Sequence, residues 1–530
     1  LSLSPAQRAA ALSPATRIAC LAAPGSGKTR TLVERAAALI RGGAHPTEVL
    51  LLTFTRKACR EMRERCKKLG VKSPEIFTFH GWACAMLRQW ADVAGLVHGF
   101  TIYDQVDVAD LARYAGQELK LKHKTPEKLL QSPECRRRVD ALLREAQAVD
   151  YDGLESGMRR LLTARPELRR RWRHVLVDEG QDTSKGQQQL IGLLEPDSLF
   201  VVGDPGQSIY GFRGASLEGF LAWGASSTVL TLPTNYRSGR TIVAIASDMA
   251  MRMQPAGLLQ DAAPDAEEGS VERMVWADLA ADIAEVAATG ASCAVLSPNW
   301  LRLEEWLAPE LEAAGVLHHV ARPVQIIWDS QEMRGLVAGL RVVVNPHDAH
   351  SLRIFLRELG PLDFGDWAAV RARSMAAGVS ILESAATLAP KPLASMAVRW
   401  SLDGWLATPD MVLTVADVLR EGYADLHLES RAAKVLDCAT AILATGLDLQ
   451  DFLDWYSGRA MEGEDREEPP GVALMSIHGA KGLEWDAVWI LGVDAWKEGE
   501  EAKRLLYVAA TRAAKRLRFV AGKPDNARTW

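Results

Sequence analysis

Residues 18–29 read Ile18-Ala19-Cys20-Leu21-Ala22-Ala23-Pro24-Gly25-Ser26-Gly27-Lys28-Thr29, an apolar run and a loop of small residues, followed by a helical pattern from Thr31 to Ile40. Strand, loop and helix in that order put GSGKT where a phosphate-binding loop belongs. Small residues let backbone N–H groups curve round phosphate oxygens, Lys28 supplies charge for the β and γ oxygens, and the Thr29 hydroxyl can ligate magnesium. Ala22 stands where such loops usually carry a first glycine, a mild departure because alanine is also small. Ala22, Ala23, Pro24, Gly25, Ser26, Gly27, Lys28 and Thr29 are therefore the candidate nucleotide site, with ATP and Mg2+ as the expected ligands.

Outward from this loop, strand text alternates with helix text. VLLLTF (Val49 to Phe54) reads as a strand, Lys57 to Leu69 as a charged helix, and Phe77 to His80 as a further short strand. Sheet-like runs resume at Val175–Val177, Leu199–Val202 and Thr228–Leu232, and this spacing predicts an α/β fold, a parallel sheet covered by helices. A second αβ unit begins near 271, where a predicted helix leads to Cys293-Ala294-Val295-Leu296; its strands return at Val472–Met475 and Ala487–Ile490. The intervening stretches are helix-rich. The expected organisation is a first sheet domain over 1–89 and 170–270, interrupted by a helical insertion over 90–169. A second sheet domain over 271–345 and 466–530 is interrupted by a helical insertion over 346–465. The acidic tract from Glu462 to Glu468 with Pro469-Pro470 reads as a linker.

A chain of 530 residues exceeds what one hydrophobic core organises, at roughly 150 residues per domain. Its 48% apolar and 24% charged residues exclude a largely disordered or fibrous chain. With 62 basic and 67 acidic side chains, a nucleic-acid contact must come from a local groove, since the molecule as a whole is not cationic. Seven scattered cysteines without a CxxC argue for reduced thiols. LSLSPAQRAA lacks the basic stretch and apolar core of a secretory signal, and no apolar run approaches the ~20 residues of a membrane span. The expectation is a cytoplasmic protein with no membrane partner.

A phosphate loop alone does not imply hydrolysis. The run Val175–Val177 delivers Asp178-Glu179 at its C-terminal end, one carboxylate to hold magnesium and one to accept a proton from attacking water. Aromatic residues lie just past other predicted strands: Phe54, Phe79, Trp82, Tyr210 and Phe212, with His80 among them. Placement at strand ends favours a binding surface for these residues, with core packing as the competing reading for each.

The text closely resembles superfamily 1A DNA helicases of the UvrD/Rep/PcrA type. SPAQRAA, GSGKTR, LLTFTRKACREM, TFHGWACAML, LVDEGQDT, VVGDPGQSIYGFRGA, NYRS, SIHGAKGLEWDAVWI and RLLYVAATRA occur in the family's order across nearly the whole chain. Gly180 and Phe212 depart from the family, which more often has an aromatic and a tryptophan there. The resemblance implies two P-loop NTPase (RecA-like) domains flanking an ATP cleft. It makes Gln7 the adenine-reading glutamine, continues the P-loop into Arg30 as a further nucleotide-binding residue, stacks Tyr236 on the adenine, places Glu484 near the ribose, and assigns metal ligation to Thr29 and Asp178. Gln207 becomes the γ-phosphate sensor, and Arg237 and Arg512 the arginine fingers. Thr78 joins Phe54, Phe79, His80, Tyr210 and Phe212 as a DNA residue, His80 serving DNA or coupling rather than a metal.

The activity so implied is an ATP-dependent DNA helicase and single-stranded DNA translocase with 3′ to 5′ polarity, acting in repair or replication. Expected partners are single-stranded DNA and duplex junctions, with repair or replication proteins; a monomer or weak self-association is expected. The second insertion, about 120 residues, is shorter than the family's, and little text separates Asp494 from Glu500. This motivates one alternative, an ATP-driven translocase that does not separate strands. The other is a non-catalytic DNA-binding scaffold, against which the intact Lys28, Asp178, Glu179, Gln207, Arg237 and Arg512 speak. No nuclease domain is expected after Phe519-Val520.

Overall fold

The computed structural model describes residues 3–123, 125–298, 303–321, 327–359, 364–379, 381–386, 409–426, 428–462, 469–492 and 499–522. The chain divides into two units, one of residues 1–79, 166–323 and 464–530, the other of residues 80–165 and 324–463.

The first unit holds two six-stranded sheets in which every pairing is parallel. In the first sheet the strands run in the order Glu75–Thr78, Val49–Thr53, His174–Val177, Ser198–Gly203, Arg17–Ala22 and Thr228–Leu232. Val49–Thr53 is buried at every residue, which is why VLLLT is continuously apolar rather than alternating: a central parallel strand has helices on both faces. The second sheet runs Ser270–Val275, Ala513–Ala521, Trp485–Leu491, Cys293–Ser297, Val472–Ser476 and His318–Val320. An α/β fold with two parallel-sheet domains is thus what the chain forms.

Three strands of the second sheet are absent from the sequence reading, His318–Val320 being an edge strand of only three residues, too short to show a pattern. Ser270–Val275 is an edge strand with half-exposed or exposed residues throughout, so it lacks the apolar run of an interior strand. Ala513–Ala521 carries Lys515, Arg516 and Arg518 among its apolar residues, and its beginning follows the Glu500–Ala510 helix almost without a break.

The second unit is mainly helical, with one two-residue ladder, Thr101–Ile102 on Ala148–Val149. The expected boundary at 345 is corrected to about 323. The helix Gln331–Val344 is buried on nearly all sides, which makes its text resemble interior sheet-domain sequence, but its Met333, Leu336, Leu340 and Val343 share one core with Leu111, Val139 and Leu142 of the first insertion. The two insertions are therefore built on a common core. Charges reinforce it: Arg341 donates to Asp107 at 2.8 Å and to Ser457 Oγ at 3.0 Å, Asn345 Nδ2 donates to the Ala146 carbonyl at 2.8 Å, and Arg371 pairs with Glu118 and Glu145. The first insertion begins at His80 and ends at Arg165 rather than spanning 90–169. Most of the proposed acidic linker and of the shortened stretch after Gly492 lie outside the described residues.

Candidate nucleotide cleft and aromatic track

The P-loop leaves the Arg17–Ala22 strand next to the Ser198–Gly203 strand, at the C-terminal ends where open α/β sheets bind ligands. Ala22 is the last residue of its strand and fully buried, paired in register with Leu232. An extended position needs no glycine, which is why alanine serves there. Gly25 and Gly27 do need theirs. Both have positive φ (67° and 79°), and a Cβ would lie 2.7 Å from Arg237 Cβ at Gly25 and 2.7 Å from Gln7 Nε2 at Gly27. Ser26 Oγ ties the loop by donating to the Ala23 carbonyl at 2.6 Å, and the Lys28–Arg41 helix starts directly after Gly27 with no side-chain cap. Its first N–H groups face the loop, an arrangement that suits phosphate.

Lys28 Nζ lies 4.0 Å from Glu179 Oε1, and the Thr29 hydroxyl donates to Asp178 Oδ2 at 3.4 Å. Asp178 leaves the end of its strand with its amide on the Leu52 carbonyl, and Glu179 adopts a left-handed backbone (φ 49°), a strained conformation for glutamate that turns the pair into the cleft. Burial, then the neighbouring Glu179 charge, pushes the Asp178 carboxyl up to about 7. Burial acts on Glu179 in the same sense but is outweighed by Lys28 and Lys481, which hold it ionised. A hydroxyl and a buried carboxylate that is costly to ionise alone are hard oxygen donors, and they fit a Mg2+ ion whose remaining ligands come from phosphate and water. No cluster of three or more His, Cys, Asp or Glu side chains that could hold a metal ion occurs among the described residues.

The second sheet contributes the opposite wall. Arg512 is 2% exposed; its guanidinium donates to the Val508 carbonyl (2.9 Å), the Leu483 carbonyl (3.1 Å), Thr511 Oγ1 (3.1 Å) and Gln207 Oε1 (3.5 Å). Burial, then Arg237, lowers its pKa to about 9. Gln207 in turn donates from Nε2 to Asp204 at 2.8 Å. Arg237 donates to the Thr511 carbonyl at 3.2 Å and pairs with Glu484, so the residue expected at the ribose and an expected finger engage each other. A ribose contact from Glu484 requires that pair to be shared or broken. The Tyr236 amide donates to the Gly25 carbonyl at 3.0 Å, and its side chain is 48% exposed beside the P-loop. Gln7 is buried; its Nε2 donates to the Ser26 carbonyl at 2.9 Å, and its Oε1 accepts from the Ser4 amide at 3.0 Å. Arg30 sits half-buried in the first turn of the helix after the loop.

The aromatic residues divide. Phe54 and Tyr210 stack at 5.2 Å and 15°, Phe212 lies 6.2 Å from Tyr210, and His478 meets Phe212 edge-on at 5.3 Å. Phe212 is 64% exposed. Thr78 and Phe79 are buried, which leaves them little surface for a base, and Trp82 belongs to the core of the helical unit. His80 opens that unit and packs against the Tyr151 ring at 4.7 Å. The arginine-rich stretches at 136–138 and 169–173 are largely neutralised: Arg136 meets Asp140 and Asp150, Arg138 meets Glu118 and Glu145, and Arg171 and Arg173 meet Glu75 and Asp197.

Several residues without an expected role join the site. Lys481 donates to Asp182 and to the Gln207 carbonyl (2.7 Å) and lies over the Tyr210 ring at 4.7 Å, touching the carboxylate turn, the sensor loop and the stack at once. The Tyr507 hydroxyl donates to Asp204 at 3.1 Å and accepts from Gln260 at 2.8 Å. Lys481, His478 and Tyr507 stand inside SIHGAKGLEW and RLLYVAATRA, so the signal was present; Gln260 lies in no motif. Gly180 is also explained, since a Cβ there would meet Val201 at 2.5 Å and the Phe220 ring at 2.8 Å. Phe220 fills the room an aromatic at 180 would need.

Two RecA-like sheets that bring a P-loop, a carboxylate pair and buried arginines to one cleft define a tandem P-loop protein. The family model for the UvrD/REP helicase N-terminal domain matches residues 3–139 and 131–226, and that for the UvrD-like helicase C-terminal domain matches residues 471–520. The chain is 30% identical to ATP-dependent DNA helicase UvrD1 of Mycobacterium tuberculosis, an alignment covering 97% of this chain and 81% of the relative. It is 26% identical to ATP-dependent DNA helicase PcrA of Staphylococcus aureus, covering 96% and 82%. The chain belongs to the UvrD/Rep helicase family.

Proposed function

We propose that the protein is an ATP-dependent DNA helicase and single-stranded DNA translocase moving 3′ to 5′. The observation that carries this is the convergence of Lys28, Asp178 and Glu179 of one sheet domain with Arg512 of the other, through Gln207, whose loop runs on to the Tyr210 stack, while Arg237 at the P-loop reaches the Thr511 carbonyl. Lys28 binds the β and γ oxygens, Glu179 accepts the proton of the attacking water, and Gln207 with the two arginines stabilises charge on the transferring phosphoryl group. Thr29 and Asp178 would hold Mg2+, which when bound would supply charge neutralisation at the phosphate oxygens. Gln7 selects the base and Tyr236 stacks on it, with Arg30 beside the P-loop as a further nucleotide-binding residue. Because these groups come from both sheet domains, turnover is tied to cleft closure, and alternating grip on bases by Phe54, Tyr210 and Phe212 gives directed stepping. The division into two sheet domains with an insertion in each accounts for this coupling.

Among the described residues no helix is long and apolar enough to cross a membrane, and the proposed setting is the cytoplasm, in repair or replication. The test is a DNA-stimulated ATPase assay followed by unwinding of 3′-tailed and 5′-tailed duplexes. Unwinding from the 3′ tail only is expected; stimulation of turnover without any strand separation favours translocation alone, the second reading that the short second insertion motivates. Absence of ATP turnover with retained DNA binding would leave the scaffold reading.

A further inference from the structure

The short helix that carries Gln7 is held at both ends, and one hold comes from a residue outside every motif quoted above. Arg35 lies on the Lys28–Arg41 helix, two turns beyond the P-loop lysine, and is only 4% exposed. Its guanidinium donates from Nη1 to the carbonyls of Ala10 (3.3 Å), Ala11 (3.4 Å) and Ser13 (3.1 Å), and from Nη2 to that of Ala15 (3.3 Å). These carbonyls lie at and just beyond the C-terminal end of the helix Pro5–Leu12, where no intrahelical donor reaches them and where a cation is favoured. The same guanidinium lies over the Phe200 ring, 5.1 Å from its centroid, which fixes its plane.

At the other end, Ser4 and Gln7 form a reciprocal cap, and Gln7 Nε2 continues to the Ser26 carbonyl at 2.9 Å. That nitrogen occupies the space a Cβ on Gly27 would enter, 2.7 Å away. The contacts close a circuit: the P-loop leads into the Lys28–Arg41 helix, Arg35 of that helix grips the far end of the Pro5–Leu12 helix, and Gln7 returns to the loop. An eight-residue helix is a rod of about 12 Å, so a shift at its gripped end moves the amide at the other.

We propose that Arg35 is a positioning residue for nucleotide-base selection, setting the depth at which the Gln7 amide lies against the P-loop. The proposal rests on the base-reading role given to Gln7 above. Lysine at this position keeps a charge but presents a compact ammonium that cannot span four carbonyls, and glutamine keeps polar atoms without the charge.

The experiment measures displacement of a fluorescent ATP analogue by ATP and by GTP from the full chain, for the parent, Arg35→Lys, Arg35→Gln, Gln7→Ala and the Gln7→Ala/Arg35→Lys pair. It is accompanied by hydrogen exchange of the 5–12 segment. Binding rather than turnover is read, so the result does not depend on hydrolysis, and Arg35→Lys carries the test if Arg35→Gln does not melt cooperatively. The parent prefers ATP, and Gln7→Ala loses about tenfold of that preference, the scale of one misplaced hydrogen bond. Arg35→Lys is expected to lose a similar factor, to exchange faster over residues 5–12, and to add nothing in the double variant. A parent-like ATP to GTP ratio in Arg35→Lys beside a collapsed ratio in Gln7→Ala overturns the proposal and leaves the role of Gln7 standing. An unchanged ratio in Gln7→Ala overturns both and locates the failure in Gln7. Loss of preference in Arg35→Lys that adds fully to that of Gln7→Ala overturns the positioning route through Gln7.

Discussion

Buried charge is handled in opposite ways in the nucleotide cleft and in the helical unit. In the helical unit, Arg341 is held firmly protonated; burial opposes this, and Asp107, Asp104 and Asp348 outweigh it. For Asp107 burial acts against ionisation and is outweighed by Arg341, His350 and Arg334, which hold it ionised. In the cleft, burial wins over pairing at three groups, Glu179 being the exception: Asp178 is pushed up to about 7 and Asp182 to about 6, while Arg512 is brought down to about 9. Lys481 opposes the shift at Asp182, yet burial prevails. A saturated ion pair resists change and ties helices together, whereas charges left short of partners in a cleft are poised to take ligand charge. The difference separates a structural network from a working one among groups that all look alike in sequence.

The largest effect that would break this comparison is in the helical unit. Arg341→Met leaves Asp107 buried without its main partner and should cost about 3–5 kcal/mol, whereas the double Arg341→Met/Asp107→Leu variant should recover most of it. Thermal and denaturant melts of the four proteins measure the cycle; equal loss in single and double variants would mean that packing, not charge, dominates. In the cleft, Lys28→Ala should leave the melt nearly unchanged and reduce ATP turnover about 100-fold to 1000-fold, the scale of one electrostatic contact to a transferring phosphoryl. Turnover within threefold of the parent would remove Lys28 from the chemistry.

Arg512 sharpens the contrast further. Its fork is divided among Val508, Leu483, Thr511 and Gln207, so Arg512→Lys cannot keep the planar spread and should lose at least tenfold in DNA-stimulated kcat, with DNA affinity in the absence of nucleotide little changed. Stimulated kcat and DNA dissociation constants, taken at one salt concentration, decide it; unchanged kcat with weakened DNA binding would move Arg512 to the DNA groove. Phe212→Ala, by removing one exposed platform, should weaken single-stranded DNA binding by about 1–3 kcal/mol and leave basal turnover intact. Fluorescence anisotropy with a labelled oligonucleotide measures this.

The smallest expected effect is a pH dependence of the helical unit. Burial, then Arg353, lowers the pKa of His350 to about 3; Arg341 and Arg334 add to the shift, Asp107 opposes it, and the Tyr103 ring packs alongside. The unfolded chain takes up a proton below about 6.5 and the folded chain does not until about 3, so stability present above 6.5 is lost as pH falls through that window. The slope is at most about 1.4 kcal/mol per pH unit. His350→Asn should flatten it in melts between pH 7 and 5; an unchanged slope would assign the effect elsewhere.

Much of the fold was legible because the physics that sets it is local. The Val49–Thr53, Val175–Val177 and Leu199–Val202 runs are interior strands whose apolar text says so, and GSGKT carries its own turn chemistry through Gly25 and Gly27. The edge strand Ser270–Val275 escaped because a strand exposed on its outer side has no such pattern. Gln331–Val344 was misplaced for the converse reason, since burial on all sides erases the periodicity that would mark a helix of the insertion.

By itself the sequence determined the residue types of the cleft and their order, because phosphate binding, proton acceptance and charge stabilisation each demand particular side chains next to particular backbone turns. Only the tertiary structure decided which of them meet. It brought Arg512 to Gln207 and Arg237 to Glu484, gave Lys481 its three contacts, buried Thr78 and Phe79 while leaving Phe212 open, and joined the two insertions through Arg341 and Asp107. Those outcomes depend on parallel strands and helices far apart in the chain packing side by side. The strength of a buried charge's environment is set by what those elements place within a few ångströms of it, which no local spacing encodes.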